Sequence, residues 1–221
     1  MYRLIEFDID GTLVDTERTY VLSLMDAVKA ATGKPIPEDD ARAVFGLASH
    51  LVPGRFGIEG EQAVRFSKDW MIKYRALTNL IVAFPGAREL VRKVKQAGFM
   101  TAIVTSRNDE EISYDKVTAP FLEDIDIIVS ASKTNRHKPD PEPAAYGIAR
   151  ACELAGERID PSEVLYLGDT MADWGCGAGA GADFALADWR NRGLQDIPAD
   201  YHFHNADEAL DIILGKTPKI R

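Results

Sequence analysis

Cysteine is almost missing from this chain of 221 residues. Its two thiols, Cys152 and Cys176, show no CxxC spacing. That excludes a disulfide framework and the usual zinc patterns, and it fits a reducing compartment in which both thiols are buried and inert. Long apolar runs are missing too. No stretch could span a bilayer. The N-terminal apolar run is broken by Glu6, Asp8 and Asp10, where a signal peptide needs an uninterrupted core. A soluble, cytoplasmic protein without a membrane partner is therefore expected. Positive charge is outnumbered, with 26 Lys and Arg against 35 Asp and Glu. A net charge of −9 argues against a nucleic-acid partner, which needs a basic stripe. It does not exclude an anionic substrate, because one local cation can reverse the field inside a pocket. No solenoid-type repeat recurs.

What is present alternates. Short β-type runs occur at Leu4 to Phe7, Thr101 to Val104, Ile125 to Val129, Val164 to Leu167 and Phe184 to Leu186. Helical patterns separate most of them. Arg88 to Ala97 has apolar residues at helical spacing and a stop at Gly98. Pro143 to Ala155 has a similar face. Asn205 with Glu208 reads as a cap opening a helix over Ala206 to Leu214. Strands alternating with helices predict an α/β fold with a mostly parallel sheet covered on both sides. One stretch breaks the pattern. Between Thr16 and Leu80 only helices are expected: Thr19 to Ala31, then Glu61 to Leu77 with Val64, Trp70, Met71, Tyr74 and Leu77 facing inward. Gly and Pro residues punctuate the pieces between them. The chain length suits one large domain or two unequal ones.

Ligands of open parallel sheets bind beyond the carboxyl ends of the strands. The first strand delivers Asp8 and Asp10, which share a face in extended chain. The second delivers Thr105 and Ser106. Lys138 follows the third run, within HKPDPEP. The fourth delivers Asp169 and Asp173, within LGDTMAD. Carboxylates so gathered repel one another, so a bound cation is implied. All-oxygen ligation beside phosphate suits Mg²⁺. A carboxylate there can attack phosphorus, and a second can serve as general acid and then base.

These four segments, FDIDGTLVDTE, IVTS, the lysine of HKPDPEP and LGDTMAD, resemble the four motifs of the haloacid dehalogenase-like hydrolase superfamily. More narrowly, the chain resembles its phosphoglycolate phosphatase and β-phosphoglucomutase-like branch, which carries a helical cap just after the first motif. The resemblance implies a Rossmann-like parallel-sheet core over residues 1–15 and 82–221 and an all-helical cap over 16–81. It implies Asp8 as a nucleophile that becomes an aspartyl-phosphate, and Asp10 as general acid/base. Thr105, Ser106 and Lys138 would bind the phosphoryl group. The metal would be held by Asp8, the backbone carbonyl of Asp10 and Asp169, with Asp173 either bound through water or orienting Lys138. Asp10 argues against dehalogenases, which lack a second acid there.

The implied activity is a Mg²⁺-dependent phosphatase acting on a small phosphorylated metabolite, as a monomer or homodimer. A β-phosphoglucomutase-like phosphomutase is the alternative. A phospho-accepting signalling domain is a remote one, since such a domain has no room for the helical insertion. Phe45, Gly46, His50 and Arg55 are the candidate cap contacts to substrate, with Lys73 and Arg75 as further anion contacts. Arg107 and Asn108 read as solvated loop. Asp15 falls at the hinge between core and cap, where a structural role is expected. The run Gly175 to Asp183 suggests small residues packing against the sheet, not a dinucleotide site. Glu6, on a strand position usually apolar in the family, would need a partner if buried.

Overall fold

The computed structural model describes residues 2–194 and 196–215; the end of the expected core segment, 216–221, lies outside the described residues. In chain order the elements are β1 (Leu4–Phe7), β2 (Val14–Asp15), α1 (Glu17–Thr32), α2 (Glu38–Arg42), α3 (Val52–Arg55), α4 (Gly60–Ala76), β3 (Val82–Ala83), α5 (Ala87–Gln96), β4 (Met100–Val104), α6 (Ala119–Leu122), β5 (Ile127–Val129), α7 (Glu142–Ala155), β6 (Val164–Gly168), α8 (Met171–Gly179), β7 (Asp183–Ala187), β8 (Tyr201–Phe203) and α9 (Ala206–Ile213). The main sheet has six strands in the order β5-β4-β1-β6-β7-β8, and every pairing in it is parallel. The α/β expectation holds.

Each buried strand has two inner faces, so its residues sort by twos. Ile5 and Phe7 face the layer that contains Leu90 and Val94 of α5 and Leu210 of α9. Leu4 faces the other layer, with Ile148 of α7 and Cys176 of α8. Every residue of β1 is buried, which is why its apolar run is continuous rather than alternating. Burial pushes the Cys176 thiol up to about 12, so it is inert as expected. Cys152 is only half-buried, contrary to expectation. Its sulfur accepts from the Ile159 backbone N–H.

The two-residue strands β2 and β3 pair antiparallel, with Val14 against Ala83 and Asp15 against Val82. They stand at the base of the helical segment. α1 ends at Gly33, whose positive φ of 74° places its N–H on the Lys29 carbonyl. α1 and α4 pack through Tyr20 and Trp70, whose rings meet edge to face at 5.2 Å. The Trp70 indole N–H donates to Ser23 Oγ at 3.0 Å, which satisfies a polar atom in a dry contact. The inward face expected for α4 needs correction. Its buried residues are Phe66, Trp70 and Tyr74, spaced by four, whereas Val64 is 58% exposed. The third run pairs only from Ile127, and a further strand, β8, lies at Tyr201–Phe203. Among the described residues no helix is long and apolar enough to cross a membrane.

Candidate active site

The central position of β1 decides what meets. Its neighbours are β4 and β6, so the carboxyl ends of these three strands lie side by side. Asp8 continues β1 by donating its N–H to the Leu167 carbonyl. The chain then turns through Gly11, at φ 94°. A Cβ on Gly11 would stand 2.2 Å from Asp169 Oδ2. Only glycine fits, both for its backbone angle and for the close approach of the first loop to the fourth motif.

Asp169 follows β6 directly, and Thr170 caps α8. The Thr170 hydroxyl accepts from Asp173 N–H, and Asp173 Oδ2 accepts from Thr170 N–H at 3.1 Å. This reciprocal cap fixes the Asp173 carboxylate. Its Oδ1 accepts from Lys138 Nζ at 2.7 Å, and Lys138 also donates to Asp8 Oδ1 at 2.6 Å. Burial alone would lower the lysine's proton affinity, but Asp173 and Asp8 overcome it and hold the ammonium well above its ordinary value. Lys138 is therefore a fixed positive charge.

The acids still outnumber it. Burial, with Asp173, Asp10 and Asp169 nearby, pushes Asp8 well above the usual carboxylate range against the pull of Lys138. Burial and then Asp173 push Asp169 up to about 7, although Arg192 donates to its Oδ2 at 3.0 Å. Asp169 Oδ1 is buried with no hydrogen-bond partner. Oxygens of Asp8, Asp169 and Asp173 lie within 4.8 Å of one another. An orphaned buried oxygen in a cluster short of positive charge is what an oxygen-liganded cation such as Mg²⁺ fits. A second group, Asp188 with His202 and His204, also lies within such a distance, but Asp188 already accepts from the backbone N–H groups of Arg192 and Gly193.

The Asp10 side chain turns away from that cluster. Arg107 grips it with two bonds, Nε to Oδ2 at 2.8 Å and Nη2 to Oδ1 at 2.7 Å, and Thr16 Oγ1 donates to Oδ1 at 2.6 Å. Burial would raise Asp10, yet Arg107 prevails and holds it below the usual carboxylate range. Arg107 is not solvated loop, as its sequence context suggested; it is only 7% exposed. Its far nitrogen donates to Asp115 at 2.9 Å and to Thr118 at 3.2 Å. Asn108 is a turn cap: its Oδ1 accepts from Glu111 N–H. No sequence signal joined Arg107 to Asp10, because 97 residues separate them.

Thr105 is buried, and its hydroxyl oxygen accepts from Arg107 N–H at 3.1 Å. Ser106 Oγ donates instead to the Gly46 carbonyl at 3.0 Å, which links β4 to the helical segment. Above these residues lies a cavity of about 640 Å³, counted with its open mouth. Asp8, Asp10 and Asp173 line it, together with Phe45 and Gly46. His50 does not line it; its ring meets His137 at 4.7 Å. Arg55 is exposed on α3 and does not line it either. Lys73 bonds to Asp26, and Arg75 is paired with Glu110. Among the walls that sequence reasoning missed are Tyr20, Trp70, Tyr74, Tyr114, Ser49 and Glu111. A helical face buried against a cavity has the same periodicity as one buried in a core, so only the fold separates the two.

Comparison with known proteins agrees with this fold. The N-acetylmuramic acid 6-phosphate phosphatase of Pseudomonas aeruginosa is 29% identical over 211 residues, spanning 93% of this chain and 88% of that protein. The pyrophosphatase PpaX of Bacillus velezensis is 27% identical, spanning 93% and 94%. The crystal structure of β-phosphoglucomutase from Clostridium difficile superposes with a TM-score of 0.78 at 17% identity, covering 98% of each chain, and shows the same fold. The family model for haloacid dehalogenase-like hydrolases matches residues 5–187, and the chain belongs to that family.

Proposed function

We propose that this hydrolase is a Mg²⁺-dependent phosphatase that cleaves a small phosphomonoester through an aspartyl-phosphate on Asp8. One observation carries the reading. Asp8 lines the cavity with Lys138 on Oδ1, and no hydrogen bond to Oδ2 is made among the described residues. One oxygen is anchored and the other is uncommitted, as a nucleophile requires. Asp10 lines the same cavity two residues on. The names of both relatives describe enzymes that break a bond to phosphorus, which supports the class of reaction.

In the first step Asp8 Oδ2 bonds to phosphorus, and the bond from phosphorus to the leaving oxygen breaks. Asp10 gives that oxygen its proton. In the second step water attacks phosphorus, Asp10 takes a proton from it, and Asp8 is released as carboxylate. The described conformation, with Asp10 ionised in the Arg107 fork, is the state required of a base. To act as acid, Asp10 must first leave the fork and gain a proton. Lys138 supplies charge to the phosphoryl oxygens. Thr105 accepts from Arg107 N–H, so its own hydroxyl proton remains for a phosphoryl oxygen. Asp8, Asp169 and the Asp10 backbone carbonyl would hold Mg²⁺, while Asp173 is committed to Lys138 and Thr170. When bound, that cation adds positive charge beside the phosphoryl oxygens and offsets the repulsion among the acids. Residues 16–81 act as a cap on a core of 1–15 and 82–221, and closing it keeps water from the first step.

The test is phosphate release with Mg²⁺ and with a chelator, for the wild type and Asp8→Asn. Mg²⁺-dependent release that vanishes in the variant is expected. Turnover retained in a folded Asp8→Asn protein excludes the mechanism.

A further inference from the structure

We infer that the leaving group is a neutral, hydroxyl-bearing ring, so that the preferred substrate is a phosphomonoester of a sugar or ribose unit with no second anionic group. The inference rests on the phosphatase reading and narrows it to a substrate class. Above the acids the cavity is walled by rings: Tyr20 from α1, Phe45 from the turn after α2, Trp70 and Tyr74 from α4, and Tyr114 from beyond β4. The polar ends of two of them point away. Tyr20 Oη donates to the Val44 carbonyl at 2.8 Å, and the Trp70 N–H goes to Ser23. Their ring carbons are what remains for the cavity, and flat apolar walls of this kind suit a ring-shaped ligand.

The charges point the same way. Among the described residues that line the cavity, Arg107 is the one Lys or Arg. It is already placed between two carboxylates, Asp10 and Asp115, and is buried with them. A second phosphate or carboxylate on the substrate would find no free cation there. It would instead face Asp10 and Glu111, both lining residues. Glu111 is a buried acid whose Oε2 accepts from Asn108 N–H at 2.7 Å, and Ser49 also lines the cavity. A carboxylate and a hydroxyl beside those rings are acceptors for ring hydroxyls, and the carboxylate repels anions. Phosphoglycolate, pyrophosphate and sugar bisphosphates each bring a second anion and no unburdened ring. The phosphomutase alternative requires a bisphosphate and is disfavoured on the same ground.

The experiment is calorimetric binding to the non-hydrolysing Asp8→Asn protein with Mg²⁺. The probes are glucose 6-phosphate, uridine 5′-monophosphate, phosphoglycolate, pyrophosphate, glucose 1,6-bisphosphate and inorganic phosphate. At least one of the two neutral-ring esters is expected to bind more than tenfold tighter than every doubly anionic probe. Adding Glu111→Gln is expected to shrink that ratio at least threefold and leave inorganic phosphate binding unchanged. Equal or tighter binding of phosphoglycolate, pyrophosphate or the bisphosphate overturns the inference, as does failure of every ester to bind better than inorganic phosphate. The wild type assayed on the same panel tests the phosphatase reading separately. If it releases no phosphate while the binding order holds, the reaction is wrong and the pocket assignment stands.

Discussion

Replacing Glu6 by methionine should make this protein more stable, and the gain should grow with pH. Glu6 lies in the middle of β1, opposite Ala102 and Tyr166. It is 0% exposed, and neither carboxyl oxygen has a hydrogen-bond partner. Room for it exists only because α7 has Gly147 there; a Cβ on that residue would stand 2.2 Å from Glu6 Oε1. Burial pushes the carboxyl well above its ordinary value of 4.5, with Lys138 opposing. Burying such a group unpaired costs roughly 1–3 kcal/mol. Linkage adds to that. Above about pH 4.5 the unfolded chain releases a proton that the folded chain keeps, so stability falls by about 1.4 kcal/mol per pH unit until the folded value is reached. From pH 4.5 to 7 that amounts to at most about 3.4 kcal/mol. Methionine has similar length, no charge and enough flexibility to fill the space. Urea unfolding of wild type and Glu6→Met at pH 5, 6, 7 and 8 measures the difference. We expect Glu6→Met to be more stable by about 1–3 kcal/mol at pH 5 and by more at pH 7. A variant that is less stable, with a difference flat in pH, would refute the reasoning. Glu6 would then be an ionised partner of Lys138.

Three further outcomes test other parts of the structure. Lys138→Met leaves Asp8 and Asp173 buried without their shared cation; a loss of about 3–5 kcal/mol is expected in denaturant unfolding, together with loss of phosphate release. Gly177→Ala puts a Cβ 2.7 Å from the Tyr166 side chain, so thermal unfolding should show a loss of about 1–3 kcal/mol from overpacking, despite the better helix propensity of alanine. Mg²⁺ at a hundred times its dissociation constant should stabilise the wild type by about 2.7 kcal/mol, read as a rise in melting temperature. Asp169→Asn should remove most of that rise, and an undiminished rise would place the ion elsewhere.

The sequence made the sheet and its chemical stations readable because both depend on short-range patterns. Asp8 and Asp10 follow an apolar run, as do Thr105 and Asp169, and the strand ends bring them together with no further information. The packing of Gly177 against Tyr166 likewise matches what the small residues of that run suggest. What could not be read depends on distant partners. Arg107 looks like a surface arginine until Asp10 and Asp115 are placed beside it. Arg192 gives no sign that it reaches Asp169. On α4, Val64 and Phe66 lie two residues apart, on nearly opposite sides of the helix, and their similar apolarity let Val64 be placed inward where Phe66 is the buried residue. Glu6 invited the question of a partner, and the fold answers that it has none by hydrogen bond.

Thr16 stands at the start of α1 but does not cap it. A threonine hydroxyl in that place usually accepts a backbone N–H and stabilises the helix by about 1 kcal/mol. Here it donates to Asp10, and the helix gives up that bond. The first residue at the foot of the helical segment is thereby tethered to the Asp10 side chain. A displacement of α1 from the sheet strips one donor from Asp10 and leaves only the arginine fork to restrain it. In the proposed mechanism, movement of the helical segment and the readiness of Asp10 share that single hydroxyl.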